Sequence, residues 1–279
     1  GTGAILNIIF DPILIFGYFG FPKMGAAGAA LATVFGQIVA MFLAIWFNVK
    51  RNHEIEVHPT HMRLEGRTVR AIYSVGVPSI LMMSIGSVMT FGMNKILLVF
   101  SSTAAAVFGV YFKLQSFFFM PVFGLNNGMV PIIAFNYGAH KKERITHTIR
   151  LSCTFAFAMM MLGLLVFQLI PDKLLLLFNA SEDMISIGSN ALRIISWSYL
   201  FAGFCIILSS VFQALGNGVY SLIVSVARQL LVLLPSAWIL AEAFGLHAVW
   251  WSFPIAEIAS ILLSVVLFLR IYRQKIQTL

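Results

Sequence analysis

Charged residues are scarce in this sequence. Only 10% of its 279 residues are Asp, Glu, Lys or Arg, whereas 60% are hydrophobic, and the mean hydropathy is +0.94. A water-soluble domain keeps about a quarter of its residues charged, because its surface must face water. The composition therefore excludes an ordinary soluble protein and predicts a chain that lies largely in lipid.

Cysteine is also rare, and sequence motifs of catalysis are missing. Cys153 and Cys205 both fall inside apolar runs, which predicts reduced packing residues and not a disulfide framework. His53, His58 and His61 share one polar segment, but their spacing matches no standard metal site. The sequence has neither an H-E-x-x-H motif nor a G-x-x-x-x-G-K phosphate loop. These absences argue against an enzyme, a metal site and ATP binding.

The net charge of +8 is concentrated in short loops, without the basic face or aromatic interleaving that nucleic-acid binding needs. Segments 50–70, 141–150 and 270–275 hold twelve of the eighteen Lys and Arg residues. Cytoplasmic loops of membrane proteins are enriched in these residues. We therefore predict that the loop 49–70 and the C-terminus are cytoplasmic, and we expect no nucleic-acid partner.

Apolar runs of near-spanning length follow one another along the chain. A helix of roughly 20 residues crosses the ~30 Å hydrocarbon core of a bilayer. The runs lack the short alternation of membrane barrel strands, and an open backbone cannot face lipid. The sequence therefore predicts an all-α integral membrane bundle with about eight transmembrane helices. The predicted spans are 1–19, 25–48, 71–100, 104–136, 147–170, 190–215, 219–241 and 246–270.

One long polar segment, residues 49–70, divides these runs into a helix pair and a six-helix unit. The last helix pair of the chain weakly resembles the first, as expected of a transporter built from two repeated lobes. We predict that 1–48 forms the last two helices of an N-lobe. Residues 49–70 would then be the inter-lobe linker, and 71–279 a six-helix C-lobe.

A carboxylate lies in the middle of the first apolar run. A charge at the bilayer centre costs ~2.5–3.5 kcal/mol and usually faces a cavity. Asn7 precedes Asp11 by one helical turn, and Pro12 removes a backbone donor and frees a carbonyl oxygen. Such oxygens can coordinate Na⁺, and the carboxylate can hold a proton. We predict that Asn7 and Asp11 bind the coupling ion; the alternative is a helix end that faces lipid headgroups.

Further polar residues interrupt the runs of the six-helix unit. Lys95 and Lys113 can line a cavity or extend to the membrane surface on their long stems. Arg228 can act in transport or pair with a carboxylate such as Glu257 and lock two helices together. The predicted substrate-cavity residues are Asn94, Lys95, Lys113, Gln115, Asn126, Asn127, Arg228 and Glu257.

Prolines and a polar cluster predict breaks in the helices. Asn126 and Asn127, followed by Gly128 and Pro131, are expected to interrupt the fourth span, because broken helices at membrane depth line cavities or hinges. The predicted helix hinges are Pro12, Pro131, Pro235 and Pro254.

Several of these motifs together resemble the multidrug and toxic compound extrusion (MATE) transporters, in particular the MepA-like bacterial branch. N-x-x-x-D-P at Asn7, Asp11 and Pro12 precedes G-x-x-G-A-A-x-A-T from Gly25 to Thr33, as in the family's fifth and sixth helices. Residues 112–145 are similar to the eighth helix and its cytoplasmic turn, and 212–235 to helices ten and eleven.

The resemblance implies a twelve-helix, two-lobe bundle of which this chain, truncated at its N-terminus, lacks helices one to four. It also implies export of organic cations in exchange for Na⁺ or H⁺ by alternating access, with no cofactor besides the coupling ion. Asn7 and Asp11 match the family's N-lobe ion site. Where some members carry an acidic residue in helix seven, this sequence has Asn94 and Lys95, and Glu257 offers a carboxylate elsewhere.

We therefore expect a monomeric multidrug antiporter of the inner (plasma) membrane whose partners are the bilayer and small organic cations or drugs. One alternative is a flippase for lipid-linked precursors from the same superfamily, which would need a basic cavity. A second is a membrane-embedded enzyme, and a third is a non-transporting scaffold or channel subunit in which Asp11 and Glu257 merely pair helices.

Overall fold

The structure is a computed structural model that describes residues 1–52 and 65–278. His53, His58 and His61, which we considered for metal binding, lie outside the described residues. The described chain is helical, without strands, and divides into two compact units, Gly1–Thr68 and Val69–Leu279. We call these unit 1 and unit 2.

The described residues of unit 1 up to Asn52 form two α-helices, α1 (Thr2–Phe16) and α2 (Ala26–Arg51), with a short 3-10 turn, Tyr18–Gly20, between them. Helix α1 has 15 residues and so spans about 22 Å. It is shorter than the predicted run 1–19. It ends early because Gly17 adopts a left-handed conformation with φ of 76°. A side chain there would clash, since a Cβ on Gly17 would lie 2.8 Å from the carbonyl oxygen of Phe21.

The chain after α1 folds back on the end of that helix. The backbone N–H groups of Met24 and Gly25 donate to the carbonyl oxygens of Leu14 and Ile15 at 3.0 and 3.2 Å. Helix termini leave such carbonyls unpaired, which lipid does not tolerate. The turn therefore satisfies the end of α1 without water.

Glycines bring the backbones of α1 and α2 together. A Cβ on Gly28 would lie 2.5 Å from the carbonyl oxygen of Leu14, and one on Gly36 would lie 2.8 Å from that of Gly3. Membrane helices associate through such small residues, because lipid provides no hydrophobic drive between them. The Gly/Ala stretch 24–32 is thus a packing surface.

The rest of the chain is built from ten further helices among the described residues. A π-helical segment, Ala227–Leu233, joins two of them, and a second, Tyr272–Ile276, extends the last. The helices are α3 (Gly66–Leu98), α4 (Ser102–Gly138), α5 (Lys142–Leu169), α6 (Pro171–Leu176), α7 (Glu182–Ser196), α8 (Tyr199–Ala214), α9 (Gly218–Val226), α10 (Leu234–Phe244), α11 (Leu246–Val249) and α12 (Ser252–Ile271).

The described helices account for every predicted span. Six helical stretches are long and apolar enough to cross a membrane, and the pair α7–α8, bent by 53°, makes a seventh. Helix α1 is the shorter apolar eighth. The all-α integral membrane fold is therefore confirmed.

Two predicted details of the spans are wrong. Helix α4 runs unbroken from Ser102 to Gly138, although we expected an interruption between Asn126 and Pro131. A membrane helix tolerates an internal proline when neighbouring groups satisfy the freed carbonyl. The predicted run 190–215 is instead two helices, α7 and α8.

A glutamine side chain stabilises the bend between α7 and α8. The amide Nε2 of Gln168 donates to the carbonyl oxygen of Arg193 at 2.8 Å and to Oγ of Ser196 at 3.0 Å. These groups lie in the last turn of α7, where carbonyls have no helical donor. Side-chain donors from α5 thus replace bonds that a straight helix would make.

Unit 2 is centred on aromatic rings from α4, α5 and α8. Tyr199 packs edge-on against Phe119 with centroids 5.3 Å apart, and it lies 5.5 Å from the ring of Phe167. Gly163 leaves room for this cluster, because a Cβ there would lie 2.8 Å from Phe118. Phe119 of this cluster also lines a cavity that extends along α3, α4 and the π segment.

Candidate functional site

In unit 1, the predicted ion-coupling residues lie beside a threonine of α2. Asn7 donates through Nδ2 to Oγ1 of Thr33 at 3.4 Å, and the Thr33 hydroxyl donates to the carbonyl oxygen of Ala29 at 2.9 Å. Thr33 belongs to the apolar helix pattern, so the sequence suggested no site role for it. The contact between Thr33 and the half-buried Asn7 amide becomes visible only in the folded helix pair.

Asp11 is half-buried, and its Oδ1 atom has no hydrogen-bond partner among the described residues. Asn7 precedes it by four residues, so the two side chains share a face of α1. Pro12 lacks an N–H, which leaves the carbonyl oxygen of Ile8 without its helical donor. A carboxylate, an amide, a hydroxyl and a freed carbonyl thus gather within about one turn of helix.

These oxygen-bearing groups suit a proton or a small hard cation. Na⁺-like ions prefer carboxylate, carbonyl and hydroxyl oxygens, and a buried carboxylate without a partner gains from either ligand. Unpaired buried charge is expensive in lipid. The arrangement is therefore chemically suited to a proton or a small cation at Asp11.

Unit 2 contains a cavity of about 1340 Å³. It opens among α3, α4, α8, α9, the π segment and α12. Five of the eight predicted cavity residues line it: Asn94, Gln115, Asn126, Asn127 and Arg228. The predicted hinge Pro131 lines it as well.

The lining of this cavity is mostly apolar, with many polar but uncharged side chains. Of the described residues around it, Arg228 alone carries a charge. Methionines supply much of the apolar surface. The polar residues that we had not predicted include Ser87, Thr90, Ser116, Ser209, Ser210, Gln213, Ser225, Gln229 and Ser260, and the methionines are Met82, Met83, Met89 and Met120.

These residues carry a weak signal in the sequence. Single Ser and Gln residues inside apolar helices are common, and a hydroxyl can bond to its own helix, as Ser116 does with the carbonyl of Phe112 at 2.8 Å. Only the folded arrangement shows that they face one space.

Glu257 lies in a smaller chamber of about 90 Å³ beside the cavity. Arg228 lines both spaces and donates through Nη1 to Oε2 of Glu257 at 3.4 Å. The pairing that we considered from the sequence is therefore present in the structure. It joins the π segment to α12.

Lys95 and Lys113 do not line the cavity. Both side chains are exposed, and each ammonium lies over a ring: Lys95 over Phe91 at 5.6 Å and Lys113 over Phe178 at 5.9 Å. Their long stems can carry the charge to the membrane surface. The sequence could not decide between the cavity and the membrane surface for these two residues, because the periodicity of a helix does not show which of its faces borders the cavity.

The remaining predicted hinges differ in their surroundings. Pro12 lies inside α1, whereas Pro235 lies in the first turn of α10, directly after the π segment. Pro254 is a buried residue in the first turn of α12. Pro254 follows a turn at residues 250–251, where a helix start has spare donors. Pro235 instead lies inside the continuous helical stretch Gly218–Phe244 and removes a backbone donor there.

Comparison with known proteins identifies the family. The MatE family model matches residues 78–239, which is more than half of the chain. The chain belongs to the MatE family. Its membrane helices are therefore those of a MatE family protein.

Two curated relatives are export or resistance proteins by name. Multidrug export protein MepA of Staphylococcus haemolyticus is 30% identical over 256 residues, which is 90% of this chain and 54% of that protein. Probable multidrug resistance protein YoeA of Bacillus subtilis is 26% identical over 94% of this chain and 58% of its own length. The chain thus spans about half the length of the curated relatives it matches.

A solved structure from Pyrococcus furiosus has a similar fold. It is 25% identical, with a TM-score of 0.84, over 99% of this chain and 61% of its own. That protein is described as a MOP superfamily transporter whose binding pocket has reversed polarity, which suggests a different function. Pocket polarity is therefore the feature to compare between relatives of this fold.

Proposed function

We propose that this MATE family protein exports organic cations in exchange for Na⁺ or H⁺ by alternating access. The observation that supports this most is the unit 2 cavity, which is large, rich in methionine and polar amides, and nearly free of charge. The relatives named above are multidrug export and resistance proteins. The proposed protein is a transporter and not an enzyme.

The size and lining of the cavity suit varied drug-like substrates. Ligand pockets are typically about 300–1,000 Å³ and mostly apolar, with a few polar groups that orient the ligand. The cavity of about 1340 Å³ exceeds that range. Methionine adapts to different shapes, and amide oxygens such as those of Gln115 and Asn127 can accept from or face a cationic group.

Asp11 is the proposed coupling residue. Exchange requires that ion and substrate bind with different affinities to the inward-open and outward-open states. An ion on Asp11 would neutralise a buried charge beside the carbonyl that Pro12 leaves free. Ion binding would therefore change the free energy of one conformation of α1 more than that of the other. Such a difference between the two states is what coupling requires.

The flippase alternative is less well supported by the described cavity. Lipid-linked precursors carry anionic headgroups, which call for several unpaired Arg or Lys side chains. Lys95 and Lys113 lie outside the cavity, and Arg228 is paired with Glu257. The lining thus favours a cationic or neutral substrate.

The organisation proposed from the sequence fits this function. Residues 1–48 would be the last two N-lobe helices, 49–70 the cytoplasmic linker and 71–279 the C-lobe, in a monomer of the plasma membrane. Helices α2 and α3 extend into the predicted linker, to Arg51 and from Gly66. The connecting loop is therefore shorter than the segment 49–70.

Ethidium efflux tests the proposal. The complete gene product is expressed in drug-sensitive cells, and efflux is compared with vector-only cells while the Na⁺ and pH gradients are varied separately. We expect efflux that follows one of the two gradients. Absence of efflux from a well-expressed, membrane-inserted protein would refute cation export, and transport of a lipid-linked precursor would then support the flippase.

A further inference from the structure

The ion pair between Arg228 and Glu257 occupies a chamber that adjoins the large cavity. The chamber holds about 90 Å³, enough for a few water molecules. Waters there can connect the carboxylate to the cavity. The two spaces share the lining residues Met89, Phe112, Gln115, Phe119, Arg228 and Gln229.

The pair itself is incompletely formed. A single Nη1–Oε2 contact of 3.4 Å joins the two groups, longer than the usual 2.7–2.9 Å of a charge-assisted hydrogen bond. Glu257 is buried, with 6% of its surface exposed, and its Oε1 has no hydrogen-bond partner among the described residues. A buried charge that is only partly paired costs free energy. Protonation of Glu257 would remove the cost of its own buried charge and would leave Arg228, the more exposed partner, without a counter-charge.

The helix that carries Arg228 is irregular at this position. Residues Ala227–Leu233 form a π-helical segment between α9 and α10. Such segments are rare and occur frequently at functional sites. The Arg228 side chain is also more exposed than its partner, 29% against 8%. Arg228 can therefore turn toward the cavity, whereas Glu257 stays enclosed.

Other titratable groups face Glu257 from neighbouring helices. Tyr111 on α4 and Cys205 on α8 lie close enough to interact electrostatically with both Glu257 and Arg228. Tyr199 on α8 in turn faces Tyr111. Among these groups, Glu257 is the carboxylate and Arg228 is the permanent cation, so the charge of the chamber depends on the proton of Glu257.

We propose that Glu257 is a second proton-binding site, separate from Asp11, and that its protonation frees the Arg228 charge to weaken binding of cationic substrates in the unit 2 cavity. The inference rests on the proposed export of organic cations. A proton passes from cavity water to the Glu257 carboxylate, and Arg228 keeps all its protons. The net charge of the pair changes from zero to plus one.

Linkage makes this exchange reciprocal. If a proton on Glu257 lowers the affinity for a cation, then a bound cation favours loss of that proton by the same factor. On the acidic side of a membrane, Glu257 would take up a proton and release the substrate. On the other side, substrate binding would release the proton.

Ethidium binding as a function of pH tests the proposal, because ethidium keeps its positive charge throughout. The complete protein is purified into nanodiscs and titrated from about pH 8 to about pH 5. We expect the wild-type affinity for ethidium to fall about tenfold on acidification. This is the order of magnitude expected when one unpaired positive charge, that of Arg228, repels a bound cation across the cavity. Glu257→Gln should bind about tenfold more weakly at high pH, with little further change.

The matched control is Glu242→Gln, which neutralises an exposed carboxylate on α10 and should behave as wild type. The double variant Arg228→Gln/Glu257→Gln removes the unpaired charge, so its affinity should return to within about threefold of wild type and stay independent of pH. A merely structural pair would not show this rescue. A pH-independent wild type, or a Glu257→Gln variant that keeps the wild-type profile, would overturn the proposal.

Infrared spectroscopy separates this inference from the proposed function, because it needs no substrate. The difference spectrum between acidic and basic buffer should contain a carboxylic-acid C=O band that Glu257→Gln removes and Glu242→Gln retains. With that band present but no ethidium binding, the proton site stands and the choice of cationic substrate fails. With no such band, Glu257 does not titrate and the proposal is refuted.

Discussion

Two carboxylates inside apolar helices, the half-buried Asp11 and the buried Glu257, dominate the chemistry at the scale of single residues. Asp11 on α1 has an oxygen without a partner, and Glu257 on α12 has one long contact to Arg228 and a second oxygen without a partner. The sequence predicted both, because a carboxylate in an apolar run is costly unless it has a role. Thr33, the hydroxyl beside Asn7, was missed because threonine in a helix usually bonds to its own backbone.

Neutralising Asp11 should uncouple transport. Asp11→Asn keeps the shape of the side chain but cannot take up a proton and binds Na⁺ weakly, so gradient-driven ethidium efflux should fall at least about tenfold. Efflux from cells is the measurement, with expression matched by immunoblot.

Asp183→Asn serves as the control for this prediction, since Asp183 is an exposed carboxylate in the first turn of α7. It should transport as wild type does. If Asp11→Asn transported at the wild-type rate under the same gradient, Asp11 would have no part in coupling.

At the scale of helices, packing rests on close backbone approaches. Gly28 contacts the end of α1 so tightly that a single methyl group does not fit against the Leu14 carbonyl. Gly124 on α4, in contrast, has nothing within 4 Å of an added Cβ. These two glycines allow a direct comparison of the same substitution in closed and open surroundings.

Gly28→Ala should destabilise the α1–α2 pair, because the added methyl forces the helices apart. We expect a loss of about 1–3 kcal/mol, typical of overpacking. Gly124→Ala should be neutral or stabilising by about 0.5–1 kcal/mol, because alanine favours the helix. Thermal unfolding in detergent measures both, and equal melting temperatures for the two variants would contradict the close packing.

The helices themselves were largely predictable from hydropathy, and their irregularities were not. Runs of apolar residues located every span, because lipid demands about 20 of them. The early end of α1 depends on the conformation of Gly17, and the bend at α7–α8 depends on Gln168 from another helix. Pro131 suggested a break, but α4 continues through it. Such features are set by tertiary contacts that a single sequence does not display.

At the scale of the whole molecule, the distribution of positive charge predicts the orientation. The loop after α4 carries Lys141, and it should face the cytoplasm, whereas the start of α7 at Glu182 should face outside. Both positions are exposed, so a reagent in solution can reach them and report on which side of the membrane they lie.

Single-cysteine labelling checks this orientation. Lys141→Cys and Glu182→Cys are introduced separately in a background with Cys153→Ser and Cys205→Ser. A membrane-impermeant maleimide should label Glu182→Cys in intact cells and Lys141→Cys only after permeabilisation. The reverse pattern would show that the bundle is inverted.

The cavity shows why function needs the assembled structure. Its amides, hydroxyls and methionines come from five helices and the π segment, so no local sequence motif predicts the cavity. Motif resemblance indicated the family, and the family match established it. The charge balance of the cavity, with Lys95 and Lys113 outside and Arg228 paired, emerged only from the fold.

Transport in proteoliposomes tests the central claim most directly. The complete protein is reconstituted without other proteins, a Na⁺ gradient or a pH gradient is imposed, and ethidium accumulation is followed by its fluorescence. Our account predicts accumulation that one of the two gradients drives and that disappears when the gradient is collapsed. Equal ethidium movement with and without either gradient, or none at all, would contradict cation-coupled export.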